Sequence, residues 1–146
     1  MIEHSEEWNE FHLSEKPAFE LLRDKLGYYF KEGEGIDLER ESPKQVVLEK
    51  RLAEAVKRIN PWIDDYNLTR VVRRLTTVAA SGVMEANLKV YTDLVHNIAV
   101  EQDLGVGKKN QTVKIIDFEN PENNEFLVVR QLKIWGPKEN IKPDLI

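Results

Sequence analysis

Residues 112–135 read TVKIIDFENPENNEFLVVRQLKIW, with strand patterning on both sides of a turn. Val113 and Ile115 alternate with Lys114, which is the period-2 mark of a strand with one buried face. Residues 119–124, with Asn120, Pro121, Asn123 and Asn124, supply turn chemistry. From Glu125 to Trp135 the pattern predicts one long strand, apolar on both faces at residues 126–129 and alternating beyond. Upstream, residues 99–104 pair with 112–118 as a hairpin around a Gly/Lys/Asn turn. Downstream, residues 136–140 turn again and residues 141–146 begin a further strand.

Before about residue 98 the apolar period is 3.6 instead. Ser14 reads as an N-cap with Pro17 in the first turn. Ala18, Phe19, Leu22, Leu26 and Tyr29 then share a helix face, and Gly27 is its stop. Residues 31–41 read as a charged loop. Ser42 and Gln45 form a capping box around Pro43, opening a helix through Leu48, Leu52, Ala55, Val56 and Ile59. Asn60-Pro61 ends it, because the residue before proline is pushed out of the helical region. Asp64 or Asp65 caps a third helix through Val78. After a break at residues 79–82, a fourth carries Met84, Leu88, Tyr91, Val95 and Ile98. The fold class is therefore α+β: residues 14–98 mainly helical, residues 99–146 mainly antiparallel strands, and residues 1–13 a flexible terminus. A hydrophobic strand with nothing after it to pair with predicts that the chain is a piece of something longer.

The 146 residues suit one domain large enough to bury a core without staples. With no Cys, disulfides, Cys-zinc sites and cysteine nucleophiles are excluded. No apolar run approaches the roughly 20 residues of a membrane span, and the acidic start is unlike a targeting signal. A cytoplasmic chain without membrane contact is expected. The net charge of −5 argues against autonomous binding to nucleic acid through phosphate neutralisation alone. Charge is segregated, however. Residues 1–39 hold four bases and eleven acids, whereas residues 40–75 hold nine bases and five acids.

Few residues carry a chemical signal alone. Residues 105–110 (GVGKKN) imitate a phosphate loop, but Gln102 stands at the first glycine's place and Lys109 where a hydroxyl is required. Leu38 occupies the third glycine position of a dinucleotide fingerprint begun at Gly33 and Gly35. His4, His12 and His96 lack metal-ligand spacing, and no nucleophile elbow surrounds Ser81. Arg70, Arg73 and Arg74 form the densest basic cluster. A solvated helix face is the favoured reading, and contact with DNA backbone or an acidic surface is the rival. Asp144, after Pro143 at a strand start, is either turn chemistry or a metal-binding carboxylate.

Larger blocks decide between these. Ile115–Gln131 (IIDFENPENNEFLVVRQ) resembles the N-terminal region of type I restriction enzyme R subunits. So do Glu15-Lys-Pro with Leu26-Gly-Tyr28, Arg58-Ile-Asn-Pro-Trp62 and Lys142-Pro-Asp-Leu-Ile146, in order and with similar spacing. The resemblance implies a nuclease domain of the PD-(D/E)xK class, here incomplete, preceding helicase-like motors that bind ATP. It also implies methyltransferase and specificity subunits as partners, with DNA as substrate. On that mapping Asp144 resembles the first Mg²⁺-binding carboxylate. An acid-x-Lys triplet would follow roughly fourteen residues later, beyond Ile146. Nucleases of this kind can also carry an acid on the first core helix, a place that Glu15 or Glu20 could fill, with Glu15 ranked first.

The resemblance thus implies ATP-dependent, Mg²⁺-dependent endonucleolytic cleavage of foreign DNA for the parent protein. The fragment alone is expected to be inactive and to bind no ATP. A rival from another class is a non-catalytic module whose helices over residues 42–98 dock partner subunits.

Overall fold

A computed structural model describes residues 9–146 of the chain. In chain order the elements are α1 (residues 11–25), β1 (Tyr29–Glu32), α2 (Gly33–Asp37), α3 (Glu49–Ile59), α4 (Asp65–Thr76) and α5 (Val83–His96). There follow β2 (Ile98–Asp103), β3 (Lys108–Val113), a 3₁₀ turn at Pro121–Asn123, β4 (Leu127–Arg130), β5 (Ile134–Trp135) and β6 (Asn140–Ile141). The α+β class holds. Two units form: residues up to Val46 with Phe126–Ile146, and Val47–Glu125. Among the described residues no helix is long and apolar enough to cross a membrane.

In the first unit α1 starts before Ser14, whose hydroxyl donates to Glu10 O at 2.9 Å from inside the helix rather than capping it. Residues 11–13, assigned to the terminus from sequence, form its first turn; residues 1–8, with His4, lie outside the described residues. Pro17 can donate no N–H, and wider five-residue hydrogen bonding flanks its turn, as from Lys16 N to Phe11 O. Gly27, at φ +72°, ends the helix, and Tyr28 N donates back to Leu22 O at 3.0 Å.

Tyr29, expected on the helix, instead opens β1, which pairs parallel with β4 from Tyr29↔Leu127 to Glu32↔Arg130. This parallel pairing departs from the antiparallel expectation. The other edge of β4 takes the chain's last residues antiparallel, with Val129 and Ile146 exchanging both backbone bonds at 2.9 and 3.0 Å. With neighbours on both edges, β4 buries consecutive residues, Val128 and Val129, as its two-faced apolar run implies. The expected single strand to Trp135 is broken at Gln131, at φ +54°.

The capping box at Ser42 does not start a helix. Ser42 Oγ accepts from Lys44 N and Gln45 Oε1 from Glu41 N, which closes a turn, and α3 begins only at Glu49. The competing partner is Arg40, whose guanidinium donates to the carbonyls of Pro43, Gln45 and Lys133 and pairs with Asp37. Trp135 N also claims Pro43 O. These contacts, two of them from residues 133 and 135, hold residues 40–45 as a turn instead of a first helical turn.

The second unit is built around Val56, Ile63, Val71, Ile98, Val100, Val113 and Ile115. Burial of each such side chain is worth about 1.5–3 kcal/mol before entropy is counted. Asn60-Pro61 ends α3 as expected, and Asp64 caps α4 by accepting from Asn67 N at 2.7 Å. The β2–β3 hairpin is antiparallel, Ile98↔Val113 to Asp103↔Lys108, and residues 114–118 lie past its end. Gly105 and Gly107, at φ +97° and +88°, make its turn, and the backbone N–H of each donates to Asp103 Oδ1. Asn120 N and Asn123 Nδ2 tether the turn at residues 117–124 to Asp117, and these bonds lower the Asp117 carboxyl.

Helix α5 is rotated from its expected face. Met84, Leu88 and Tyr91 are exposed, Met84 by 88%, and Ala86, Val90, Asp93 and Leu94 turn inward instead. The helix is apolar on both sides, and on the inward one Asp93 is held by Arg74 in a bidentate pair at 2.7 and 2.6 Å. At its start Lys89 and the Ser81 hydroxyl and N–H all bind Glu85, pushing its carboxyl from 4.5 down to about 2. A lowered carboxyl stabilises the folded state fully above pH 4.5 and ceases to do so as pH falls through about 2. An NMR titration of the Glu85 side chain is expected to show this; a midpoint at the ordinary value would mean that the bonds from Ser81 and Lys89 do not form in solution.

Candidate functional site

Two acids singled out from sequence, Glu15 on α1 and Asp144 in the terminal segment, meet at one side chain of the first unit. Gln131 Nε2 donates to Asp144 Oδ1 at 2.9 Å and approaches Glu15 Oε1 at 3.5 Å. Its backbone N–H donates to Asp144 O at 3.1 Å. Arg130 Nε donates to the same Glu15 Oε1 at 3.1 Å, and its Nη1 lies 3.7 Å from Glu32 Oε1. The guanidinium also lies 5.4 and 5.3 Å from the ring centres of Phe11 and Phe19, within cation–π range.

The fold explains this convergence. Helix α1 buries Phe19 and brings Glu15, whose side chain is 8% exposed, toward the end of β4. The terminal segment runs antiparallel along β4, which sets Asp144 opposite Gln131. Asp144 itself is exposed. Glu20, the second-ranked helix acid, has no hydrogen bond to Arg130, Gln131 or Asp144 among the described residues.

Two carboxylates of hard oxygen donors, one of them solvent-facing, fit the chemistry of Mg²⁺, which takes one or two carboxylates plus water and phosphate. Glu15 and Asp144 would be the ligands. Among the described residues no cluster of three or more His, Asp or Glu side chains could hold a metal ion. Sequence reasoning passed over Arg130 and Gln131 as site residues. Their signal was two polar residues closing the apolar run of residues 126–129.

The basic cluster separates into three situations. Arg74 is bound to Asp93, whose side chain is 8% exposed, and the pairing raises the arginine's pKa. Arg70 lies 5.5 Å from the Tyr66 ring centre, and Arg73 is exposed. Arg70→Ala and Arg73→Ala are expected to change stability by no more than about 0.5 kcal/mol. Arg74→Ala strands Asp93 and should cost about 1–3 kcal/mol in urea denaturation. If the exposed pair touched phosphate, each loss would make the slope of log affinity against log salt shallower by about 0.9. An unchanged slope is expected.

Comparison with known proteins gives a consistent result. The family described as Type I restriction enzyme R protein N terminus matches residues 7–146. A Methanocaldococcus jannaschii protein named as the MjaIXP type I restriction enzyme endonuclease subunit is 33% identical over 144 residues, covering 94% of this chain and 14% of that protein. The HindI type I restriction enzyme endonuclease subunit of Haemophilus influenzae is 31% identical over 102 residues, covering 69% and 10%. The chain thus spans about a seventh or less of these relatives. No solved structure matches. A family match over nearly the whole length, with the Glu15, Gln131 and Asp144 segments inside it, makes this chain a member of the type I restriction enzyme R protein N-terminus family.

Proposed function

We propose that this chain is the first part of the nuclease domain of a cytoplasmic R subunit that cuts foreign DNA with Mg²⁺ and ATP. The observation that carries the reading is the meeting of Glu15 and Asp144, far apart in sequence, on the two sides of Gln131. Mg²⁺, when bound, supplies an activated water and offsets charge on the scissile phosphate. The chain's own residues have simpler roles. Asp144 and Glu15 present oxygen ligands, and Arg130 balances Glu15 and Glu32 at the end of the strand. The acid-x-Lys strand would come from later in the parent chain, as would the ATP-binding motors. Methyltransferase and specificity subunits are the proposed partners. The fragment alone is proposed to be inactive.

The test is DNA cleavage by the full-length subunit, assembled with its partners, carrying Asp144→Asn. Loss of cutting supports the reading. Retained cutting would favour a second one, a docking module, for which the exposed Met84, Leu88 and Tyr91 on α5 are the supporting observation.

A further inference from the structure

Gln131 occupies a backbone conformation that glycine adopts freely and glutamine does not, φ +54°. In a regular strand, consecutive side chains point to opposite faces. Arg130 and Gln131 nevertheless both reach Glu15 Oε1, because the left-handed residue breaks the alternation as β4 ends. The close packing of Gly33 against this bend maintains it. A Cβ at position 33 would lie 2.8 Å from both the Gln131 carbonyl carbon and Leu132 Cα. The bend, the absent side chain at Gly33 and the two acids therefore converge on one amide.

The chemistry of that amide is specific. Its NH₂ group carries two hydrogens, so one nitrogen can serve Asp144 and Glu15 together. It is also uncharged. Arg130 already balances Glu15, and an arginine or lysine at position 131 would also cancel the Asp144 charge that a cation needs. Glutamine orients both carboxylates and adds no further positive charge, so the Asp144 charge stays in place. Asp144 is gripped twice, by the Gln131 side chain at Oδ1 and by its backbone N–H at the carbonyl.

We infer that Gln131 is a positioning residue that joins Glu15 and Asp144 into one divalent-cation site. The inference rests on the reading of those two acids as metal ligands. Orienting groups of this kind are typically worth 10–100-fold in metal affinity.

The variant to make is Gln131→Gly in the full-length subunit, since glycine suits the backbone and only the bridge is deleted. Calorimetric titration with Mn²⁺, without nucleotide, is expected to show affinity reduced by about 10–100-fold. Half-saturating Mg²⁺ for cleavage should rise by a similar factor, with cutting recovered at high Mg²⁺, while ATP-driven translocation and melting temperature stay unchanged. Gln131→Lys should abolish Mn²⁺ binding without recovery, because it sets a cation between the acids. Asp144→Asn is measured alongside. If Asp144→Asn removes Mn²⁺ binding and cleavage but Gln131→Gly matches the unmodified protein in both, the positioning role is overturned alone. If Asp144→Asn also leaves both intact, the metal-ligand reading fails and the inference fails with it.

Discussion

Asp144→Asn in the full-length R subunit is expected to lower DNA cleavage by at least about 10²–10³-fold, the scale of removing one preorganised electrostatic group from a reacting centre. The substitution is close to isosteric. Gln131 Nε2 can still donate to the remaining oxygen, as it does to Asp144 Oδ1, and the backbone bond from Gln131 N to the residue 144 carbonyl does not depend on the side chain. The terminal strand should therefore stay on β4. What is lost is a negative charge at an exposed position, where an amide oxygen is a far poorer ligand for a hard cation. Translocation driven by ATP should persist, because the proposed motors lie elsewhere in the parent chain. Both activities are measured on the one variant, together with its melting temperature. Cleavage and translocation lost together with a lowered melting temperature would point to misfolding. Cleavage retained at the unmodified rate would exclude Asp144 from the chemistry.

Local signals proved sound where local chemistry had no competitor. Asn60-Pro61 ends α3 and Asp64 caps α4 because a proline's sterics and a carboxylate's reach act over a few residues. Gly27 stops α1 for the same reason. The Ser42 capping box failed because residues far along the chain hold the segment in a turn: Lys133 O fixes Arg40 against the Pro43 and Gln45 carbonyls, and Trp135 N binds Pro43 O. On α5 the period was right and the face wrong, because the helix carries apolar residues on both sides and periodicity alone cannot choose between them. Asp144 and Glu15 came from resemblance, and no spacing rule places residues so far apart beside each other. Gln131 was illegible as a bridge. An apolar run followed by alternation reads as unbroken strand, and nothing in a glutamine announces positive φ.

Arg40→Met is expected to destabilise the first unit by about 2–6 kcal/mol, a large share of the roughly 5–15 kcal/mol by which a domain is stable. The side chain is 1% exposed and donates at 3.0 Å to Gln45 O and at 2.8 Å to Lys133 O. Methionine keeps the length and apolar volume but leaves those carbonyls buried without donors, at about 1–3 kcal/mol each. Pro43 O suffers less, because Trp135 N still donates to it at 3.0 Å, and half-exposed Asp37 can be hydrated. Arg40→Lys should fall between, since a compact ammonium cannot reproduce a planar fork across three carbonyls. Urea denaturation gives the magnitude, and a change within about 0.5 kcal/mol would show that water replaces the guanidinium. Hydrogen exchange at the Gln131 amide adds the functional consequence. Lys133 lies two residues beyond Gln131, so releasing its carbonyl loosens the bend that presents the amide to Glu15 and Asp144. Faster exchange at Gln131 than at Val129 would locate the first opening at that bend, and equal rates would mean that the strand and the bend unfold as one.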